Sequence, residues 1–192
     1  MGPELARRVE SVEKTPLLKG RDIFCLQIKS GFFTLHRVLK RNDEYGGTRM
    51  ARKKMVAFVS QRNACRSIIA EAYAKRLGQE AFECFSFGLE SDRVHYLVQE
   101  VLQSRGFRMT YYFSKRYEVV ERQPLDLIIL LHPSLKEKLP GIPYPHEVIS
   151  WEFEDPTLQE GSEEEMKRAI EKLCDAIEQK VKDLVATEQK VA

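Results

Sequence analysis

From residue 55 onwards, short runs rich in apolar and aromatic residues alternate with segments of helical periodicity. Four such runs are expected to form buried strands of a parallel sheet, namely 55–59, 82–87, 125–131 and 147–151. Apolar residues recur at helical spacing from Arg66, from Val94 and over 166–184, and Ser162 with Glu165 forms a capping box before the last helix. The alternation predicts an α/β fold, a three-layer sandwich in which a four-stranded parallel sheet is flanked by helices.

Residues 1–54 differ from the rest of the chain in charge. They hold 13 lysines and arginines against 6 aspartates and glutamates, whereas the whole chain of 192 residues has a net charge of +2. We therefore divide the chain into a basic N-terminal extension, 1–54, and an α/β domain, 55–192. Within the extension we predict a strand at 22–28 and a helical turn or two at 32–40. The extension is interpreted as a solvated segment, and an arm that binds nucleic acid is the alternative.

Composition excludes several classes of protein. With 43% hydrophobic residues the chain is not wholly disordered, and no apolar run approaches the roughly 18 residues that a membrane-spanning helix needs. The four cysteines are widely separated and form no Cys-x-x-Cys pair, which argues against a zinc site and a disulfide framework; they are Cys25, Cys65, Cys84 and Cys174. We expect a cytoplasmic protein that uses neither a metal nor a cofactor and has no membrane contact.

The loop after the first predicted strand is the strongest candidate for a ligand site. In parallel α/β sheets ligands bind beyond the carboxyl ends of the strands, and here that position holds Ser60-Gln61-Arg62-Asn63-Ala64-Cys65-Arg66-Ser67. The backbone N–H groups of such a loop, with the helix N-terminus, attract a tetrahedral oxyanion. Arg66 can bind two of its oxygens, and Asn63 tolerates the left-handed backbone of a tight loop. On spacing alone, Arg66 could equally be a surface arginine.

Ser60-x5-Arg66-Ser67 after an apolar strand resembles the Cys-x5-Arg-Ser signature of the low-molecular-weight protein tyrosine phosphatases and the related phosphatase-like arsenate reductases. The similarity covers roughly 55–186 and continues through Arg66–Tyr73, Phe85–Gly88, Phe113–Lys115 and Asp155-Pro156. It implies the family's α/β fold, with oxyanion binding by 61–67. It also implies cysteine-dependent hydrolysis of a phosphomonoester through a phosphocysteine intermediate.

The resemblance further implies roles for individual residues. Ser60 lies at the position of the nucleophile, Arg66 would hold the equatorial oxygens, and Asp155 would protonate the leaving oxygen and then activate water. Ser67 would donate a hydrogen bond to the nucleophile, and Asn63 would hold the shape of the loop. The other oxyanion-binding positions are Gln61, Arg62, Ala64 and Cys65.

Two loop residues depart from the family pattern. Ser60 stands where the family has its nucleophilic cysteine; a serine hydroxyl keeps its proton at neutral pH, and no histidine of the motif can remove it. We therefore expect phosphate binding with little or no turnover. An engineered Cys-to-Ser replacement and a natural non-catalytic pseudo-phosphatase both explain Ser60. Arg62 replaces the usual glycine, and either adds a cation at the mouth of the site or is a solvated surface residue.

Phosphate and arsenate are similar tetrahedral anions, so the loop suits both a phosphatase and an arsenate reductase. Thioredoxin-coupled reductases use two further cysteines after the third strand, but 131–144 contains none, so a reductase here would need an external small thiol. Asp155 favours a tyrosine phosphatase acting on a phosphorylated protein or a small phosphomonoester. His132 is a further candidate site residue. Five aromatic residues are candidates for packing a phosphotyrosine ring, namely Tyr111, Tyr112, Phe113, Tyr117 and Tyr144.

Overall fold

The computed structural model describes residues 52–191, together with the backbone of 23–29 and 32–38. Strands β1 (Ile23–Lys29) and β2 (Phe32–Val38) pair in antiparallel register. The predicted strand at 22–28 is therefore confirmed within one residue, whereas the prediction of helical turns at 32–40 is wrong. The sequence of β2 is rich in aromatic and β-branched residues, and only two residues separate it from β1, a spacing typical of a hairpin.

The larger unit is built on four parallel strands: β3 (Lys54–Ser60), β4 (Phe82–Gly88), β5 (Leu127–Leu130) and β6 (Glu147–Ser150). Their order across the sheet is β4-β3-β5-β6, and every neighbouring pair is parallel. The first strand of this unit thus lies inside the sheet, which agrees with its continuous apolar sequence. The predicted four-stranded parallel sheet is confirmed, but β6 lies at its edge and is partly exposed rather than buried as expected, with Glu147 and Ser150 exposed.

Helices cover both faces of this sheet, but not in the same way. One face carries the three α-helices, α1 (Arg66–Leu77), α2 (Tyr96–Ser104) and α3 (Glu163–Val191). Val56 and Phe58 of β3 point to that face and pack with residues of all three helices. Ala57 and Val59 point to the other face, where short 3-10 helices and loops supply the cover. The three-layer α/β class is thus confirmed.

Two capping features agree with the sequence patterns. The Glu165 carboxylate accepts a hydrogen bond from the Ser162 backbone N–H at 2.8 Å, and the Ser162 hydroxyl accepts one from the Glu165 N–H at 3.3 Å, which confirms the capping box at the start of α3. Gly106, two residues after α2, has a φ of 79° and accommodates the chain reversal there.

Within 52–191 and the two described strands, no helix is long and apolar enough to cross a membrane. In that same part of the chain, no group of three or more histidine, cysteine, aspartate and glutamate side chains could hold a metal ion.

Candidate oxyanion site

Residues 60–67 form the turn between β3 and α1, at the carboxyl end of an interior strand. Gly88, which ends β4 beside Ser60, approaches this turn closely: a Cβ on Gly88 would lie 2.8 Å from the Asn63 nitrogen. Backbone hydrogen bonds from the segment after Gly88 also hold the turn, with Glu90 N donating to Gln61 O at 2.9 Å and Asp92 N donating to Arg62 O at 3.2 Å. The glycine therefore lets the neighbouring strand support the loop directly.

Asn63 is the residue that fixes the shape of the loop. Its φ is 48°, in the left-handed region, as its residue type allows. Its side-chain amide donates to the Ser67 hydroxyl at 2.8 Å and to the Ser86 hydroxyl at 2.9 Å, and its side-chain oxygen accepts from the Lys115 backbone N–H at 2.8 Å. The buried amide is thus bonded to α1, to β4 and to the segment before β5.

A buried ion pair between Lys115 and Glu71 supports Asn63 through the Ser86 hydroxyl. The Lys115 ammonium donates to the Glu71 carboxylate at 3.0 Å and to the Ser86 hydroxyl at 3.3 Å, and Ser86 also donates to Glu71. Sequence reasoning assigned no role to these three residues. The available signal was Glu71 itself, because a carboxylate in the apolar helical run Ile68-Ile69-Ala70-Glu71-Ala72 needs a buried partner.

Ser60 is buried at the base of the loop. Its hydroxyl lies 2.7 Å from the Ser67 hydroxyl and accepts a hydrogen bond from the Asn63 N–H at 3.1 Å. The Ser60 oxygen is therefore in contact with hydrogen-bond donors, whereas no histidine or carboxylate within 52–191 forms a hydrogen bond with it. This environment stabilises a negative charge at Ser60 but contains no base that could take its proton.

Arg66 carries a polar atom that the protein leaves unsatisfied. The residue is only 6% exposed. Its Nη1 donates to the Phe153 carbonyl at 2.9 Å and its Nη2 donates to Asp155 Oδ2 at 3.2 Å. Its Nε is buried and has no hydrogen-bond partner. Because an unpaired buried N–H group costs free energy, this atom points to a ligand that would accept its hydrogen bond.

Asp155 lies on the rim of the loop, as the resemblance implied, although 89 residues separate it from Arg66. Its side chain is 9% exposed. While Oδ2 faces Arg66, Oδ1 accepts hydrogen bonds from the Thr157 backbone N–H at 3.1 Å and from the Thr157 hydroxyl at 2.7 Å. Sequence reasoning did not single out Thr157, since its role depends entirely on the turn that follows Asp155.

Arg62 contacts side chains of two other segments, and its own side chain is 29% exposed. Its Nη2 donates to the Thr157 hydroxyl at 3.0 Å, and its Nη1 lies 3.5 Å from Asp92 Oδ2. The guanidinium therefore bridges the segment that follows Asp155 and the segment that follows β4. The sequence did not indicate the contact with Thr157.

Cys65 does not take part in the loop as a nucleophile. Its side chain is buried among the core residues below α1, and burial raises the pKa of its thiol well above the ordinary range, with the Asp155 charge adding to the effect and Arg66 opposing it. The carbonyl of the preceding residue, Ala64, accepts a hydrogen bond from the His95 N–H at 3.0 Å. Within 52–191 the cysteines are free and buried, namely Cys65, Cys84 and Cys174.

A cavity of about 310 Å³ opens over the loop and is lined by Gln61, Arg66, Asp155 and His132, among others. His132 thus lies at the site, with its Nε2 3.7 Å from the Glu154 carboxylate. The five aromatic candidates do not line this cavity. Tyr112 and Phe113 line a second cavity of about 950 Å³ beside α2, Tyr117 and Tyr144 pack against the core on the other face of the sheet, and Tyr111 is exposed.

The four-stranded parallel sheet and the strand-to-helix loop with its buried arginine define a phosphatase-like α/β protein. A family model described as "Low molecular weight phosphotyrosine protein phosphatase" matches residues 55–191. The chain belongs to this family.

Curated relatives of the chain are named as arsenate reductases. The chain is 26% identical over 135 residues to "Arsenate reductase" of Halalkalibacterium halodurans, covering 70% of this chain and 97% of the relative. It is 30% identical over 139 residues to "Glutaredoxin arsenate reductase" of Synechocystis sp., covering 69% of this chain and 97% of that protein.

Solved structures of both branches share the fold. One is described as an arsenate reductase in the phosphate binding state, with 27% identity, a TM-score of 0.54, and coverage of 70% of this chain and 98% of the other. A tyrosine phosphatase of Erwinia amylovora has a TM-score of 0.58 and 16% identity, covers 70% of this chain and 93% of the other, and shows similarity of fold alone.

Proposed function

We propose that residues 60–67 bind a tetrahedral oxyanion, either inorganic phosphate or the phosphate group of a phosphomonoester. The observation that carries this proposal is the buried Arg66 Nε without a partner. A phosphate oxygen would accept its hydrogen bond and satisfy it. Arg66 is also the first residue of α1, so the same oxyanion would lie against the N-terminus of that helix.

The electrostatics around the loop support an anionic ligand. The first turn of α1 contains no acidic residue, and the residue before the helix, Cys65, makes no side-chain hydrogen bond to the helix N–H groups. Those groups are therefore not satisfied by a side-chain cap and carry the partial positive charge of the helix terminus. Arg66 adds a full positive charge beside them.

The proposed chemistry is that of a cysteine-dependent phosphomonoesterase, with a phosphorylated tyrosine of a protein as the favoured substrate. With a thiolate at position 60, sulfur would attack phosphorus while the bond to the leaving oxygen breaks and Asp155 gives that oxygen a proton. Water would then attack the phosphocysteine, Asp155 would accept a proton from the water, and phosphate would leave with the thiolate restored. Arg66 would stabilise the charge on the equatorial oxygens in both steps.

With Ser60 at this position we propose that the chain binds phosphate and is nearly inactive, as an engineered variant or as a natural pseudo-phosphatase. Support comes from the surroundings of the Ser60 hydroxyl, which holds bonds to Ser67 and Asn63 and none to a base. A reducing compartment such as the cytoplasm suits the three free buried thiols of the described region. We further propose that the α/β domain begins at residue 55.

Calorimetric titration with inorganic phosphate tests the binding. We expect saturable binding to the unaltered chain and none to Arg66→Ala. In a separate assay, hydrolysis of aryl phosphates should appear only in Ser60→Cys. The exposed Arg93, on the nearby segment, provides a matched control: Arg93→Ala should still bind. An unaltered chain that fails to bind phosphate, or a folded Ser60→Cys variant without activity, would contradict the proposal.

A second candidate function is arsenate reduction with an external small thiol, and it is favoured by the names of the curated relatives. Reduction of arsenate to arsenite takes two electrons, which two thiol groups supply as they join in a disulfide. In Ser60→Cys one of these thiols would be at position 60, and we propose an external small thiol as the other, since the cysteines within 52–191 are buried. Thiol-dependent arsenite formation by Ser60→Cys, faster than its hydrolysis of aryl phosphates, would establish this candidate over the phosphatase.

A further inference from the structure

We propose that Arg62 is a positioning residue for Asp155 and acts through the hydroxyl of Thr157. This inference rests on the proposed phosphatase reaction, in which Asp155 is the acid and then the base. It assigns a function to the loop residue that departs most in size and charge from the glycine usual at its position.

The inference begins with a continuous chain of hydrogen bonds. Arg62 Nη2 donates to Thr157 Oγ1 at 3.0 Å, and Thr157 Oγ1 donates to Asp155 Oδ1 at 2.7 Å. The Thr157 backbone N–H donates to the same carboxylate oxygen at 3.1 Å. This series of hydrogen bonds links residues 95 positions apart in the sequence, and it joins the oxyanion loop to the segment that carries the acid.

Arg62 holds the Thr157 hydroxyl at its oxygen. A hydroxyl has one proton to donate and can also accept. Because an arginine N–H can only donate and a carboxylate oxygen can only accept, Thr157 accepts from Arg62 and donates to Asp155. Without Arg62 the Thr157 side chain loses the contact that fixes its oxygen, and its bond to Asp155 Oδ1 is held less firmly in place.

Fixing Oδ1 also fixes the other carboxylate oxygen. Oδ2 faces Arg66 at 3.2 Å and is the oxygen on the side of the loop. It is therefore the oxygen that would meet the leaving group of a bound phosphomonoester. A carboxylate free to rotate would present this oxygen for a smaller fraction of the time, and the proton transfer would slow.

Arg62 is itself held in place at both ends. Its backbone carbonyl accepts hydrogen bonds from Asp92 N at 3.2 Å and from the Ser114 hydroxyl at 3.1 Å. Its guanidinium lies between Thr157 and Asp92, with its side chain 29% exposed. An arginine constrained in this way is suited to positioning a neighbour, and its bonding to Thr157 and Asp92 distinguishes it from a mobile surface cation.

Leaving-group dependence in the Ser60→Cys background tests the inference. Protonation of the leaving oxygen belongs to the first step, which kcat/KM reports, and it matters most for a poor leaving group. Arg62→Ala should therefore lower kcat/KM for phenyl phosphate by about tenfold and for p-nitrophenyl phosphate by much less. Thr157→Val should have the same effect, and the double variant should lose nothing further, because both residues act in one chain of bonds.

Two variants serve as controls. Arg62→Lys retains a donor and should preserve more of the kcat/KM for phenyl phosphate than Arg62→Ala does. Arg93→Ala removes an exposed charge beside Asp92, and Arg93 forms no ion pair or hydrogen bond with the described segment 155–158. Equal losses of kcat/KM for both substrates, or the same loss in Arg93→Ala, would overturn the positioning role.

Hydrogen exchange in the unaltered Ser60 chain tests the link between Arg62 and the turn around Asp155, and this measurement does not depend on catalytic activity. The Thr157 N–H should exchange faster in Arg62→Ala than in Arg93→Ala, because the turn around Asp155 loses its tie to the loop. Exchange that is unchanged in Arg62→Ala would overturn the link itself. Ser60→Cys without activity towards either substrate would overturn the proposed function, and the exchange result would still judge whether Arg62 holds this turn.

Discussion

Arg66 Nη2 and Asp155 Oδ2 lie 3.2 Å apart, so the guanidinium of the proposed oxyanion site is shared with a carboxylate. Both side chains are largely buried, at 7% and 9% exposure, where their charges are weakly screened. The carboxylate therefore competes with an incoming oxyanion for Arg66 and also repels it. This relationship leads directly to the first prediction.

Asp155→Asn in the unaltered chain should strengthen phosphate binding, because it removes the charge that competes for Arg66 and keeps the size of the side chain. We expect a fall of roughly tenfold in the Kd of inorganic phosphate, measured by calorimetry, since about 1.4 kcal/mol of repulsion would be relieved. Glu154→Gln is the control, because Glu154 lines the same cavity but its side chain is 78% exposed. An equal gain in both variants would show that the contact between Asp155 and Arg66 is not the cause.

Gly88→Ala should weaken phosphate binding by moving the loop. The added Cβ would lie 2.1 Å from the Glu90 carbonyl oxygen and 2.8 Å from the Asn63 nitrogen, so the backbone of one strand or of the loop must shift. We expect a loss of about 1–3 kcal/mol in the free energy of unfolding together with a higher Kd for phosphate. Gly141→Ala is the matched control, because its Cβ would meet nothing within 4 Å. Unchanged affinity in Gly88→Ala would contradict the close support of the loop by β4.

Lys115→Met should strongly destabilise the fold, because it removes the buried ammonium partner of the buried Glu71 carboxylate. Removing one member of a buried pair typically costs about 3–5 kcal/mol in the free energy of unfolding, measured here by urea titration. Adding Glu71→Gln should recover part of that loss. Lys75→Ala removes the partially exposed ammonium that also contacts Glu71 and should cost about 1 kcal/mol or less. Similar losses from both lysines would show that burial of Lys115 is not decisive.

Alkaline pH should destabilise the fold through its buried thiols. Burial raises the pKa of the Cys84 thiol from 9.0 to about 12, and Lys75 opposes this shift. As the pH rises above about 9, the unfolded chain loses this proton first, so the stabilisation present at neutral pH is lost between about pH 9 and pH 12. Urea unfolding at about pH 7.5 and about pH 10 should therefore show a smaller loss for Cys84→Ala than for the unaltered chain. Equal losses would mean that Cys84 does not titrate in this range.

The sequence predicted the sheet well, because each strand carries its own local signal. All four apolar runs form strands, and the predicted run 125–131 becomes a strand over Leu127–Leu130, with Asp126 N and Leu131 N still donating to the Met55 and Val59 carbonyls of β3. The prediction of helical turns at 32–40 failed because the local signal there is ambiguous. A stretch of mixed polar and apolar residues fits helical and strand periodicity alike, and the pairing with β1 determines the outcome.

The contacts around the loop were much less accessible from the sequence. A motif names Arg66 and Asp155 as residues of interest, but it does not indicate that Thr157 links Asp155 to Arg62. The aromatic candidates show the same limit, since none of the five lines the cavity over the loop. Their composition suits a ring-binding surface, yet their positions follow from how the segments 107–120 and 139–146 pack.

Local pattern in the chain is enough to establish a parallel α/β unit and a strand-to-helix loop suited to an anion, because strand burial, helix periodicity and loop chemistry are properties of neighbouring residues. Folding brings Lys115 to Glu71, Arg62 to Thr157 and Asp155 to Arg66, across 44, 95 and 89 positions. Such pairs depend on strand order and on the path of the connecting loops. Bond direction and burial, which set the strength of each contact, exist only once these segments have packed together.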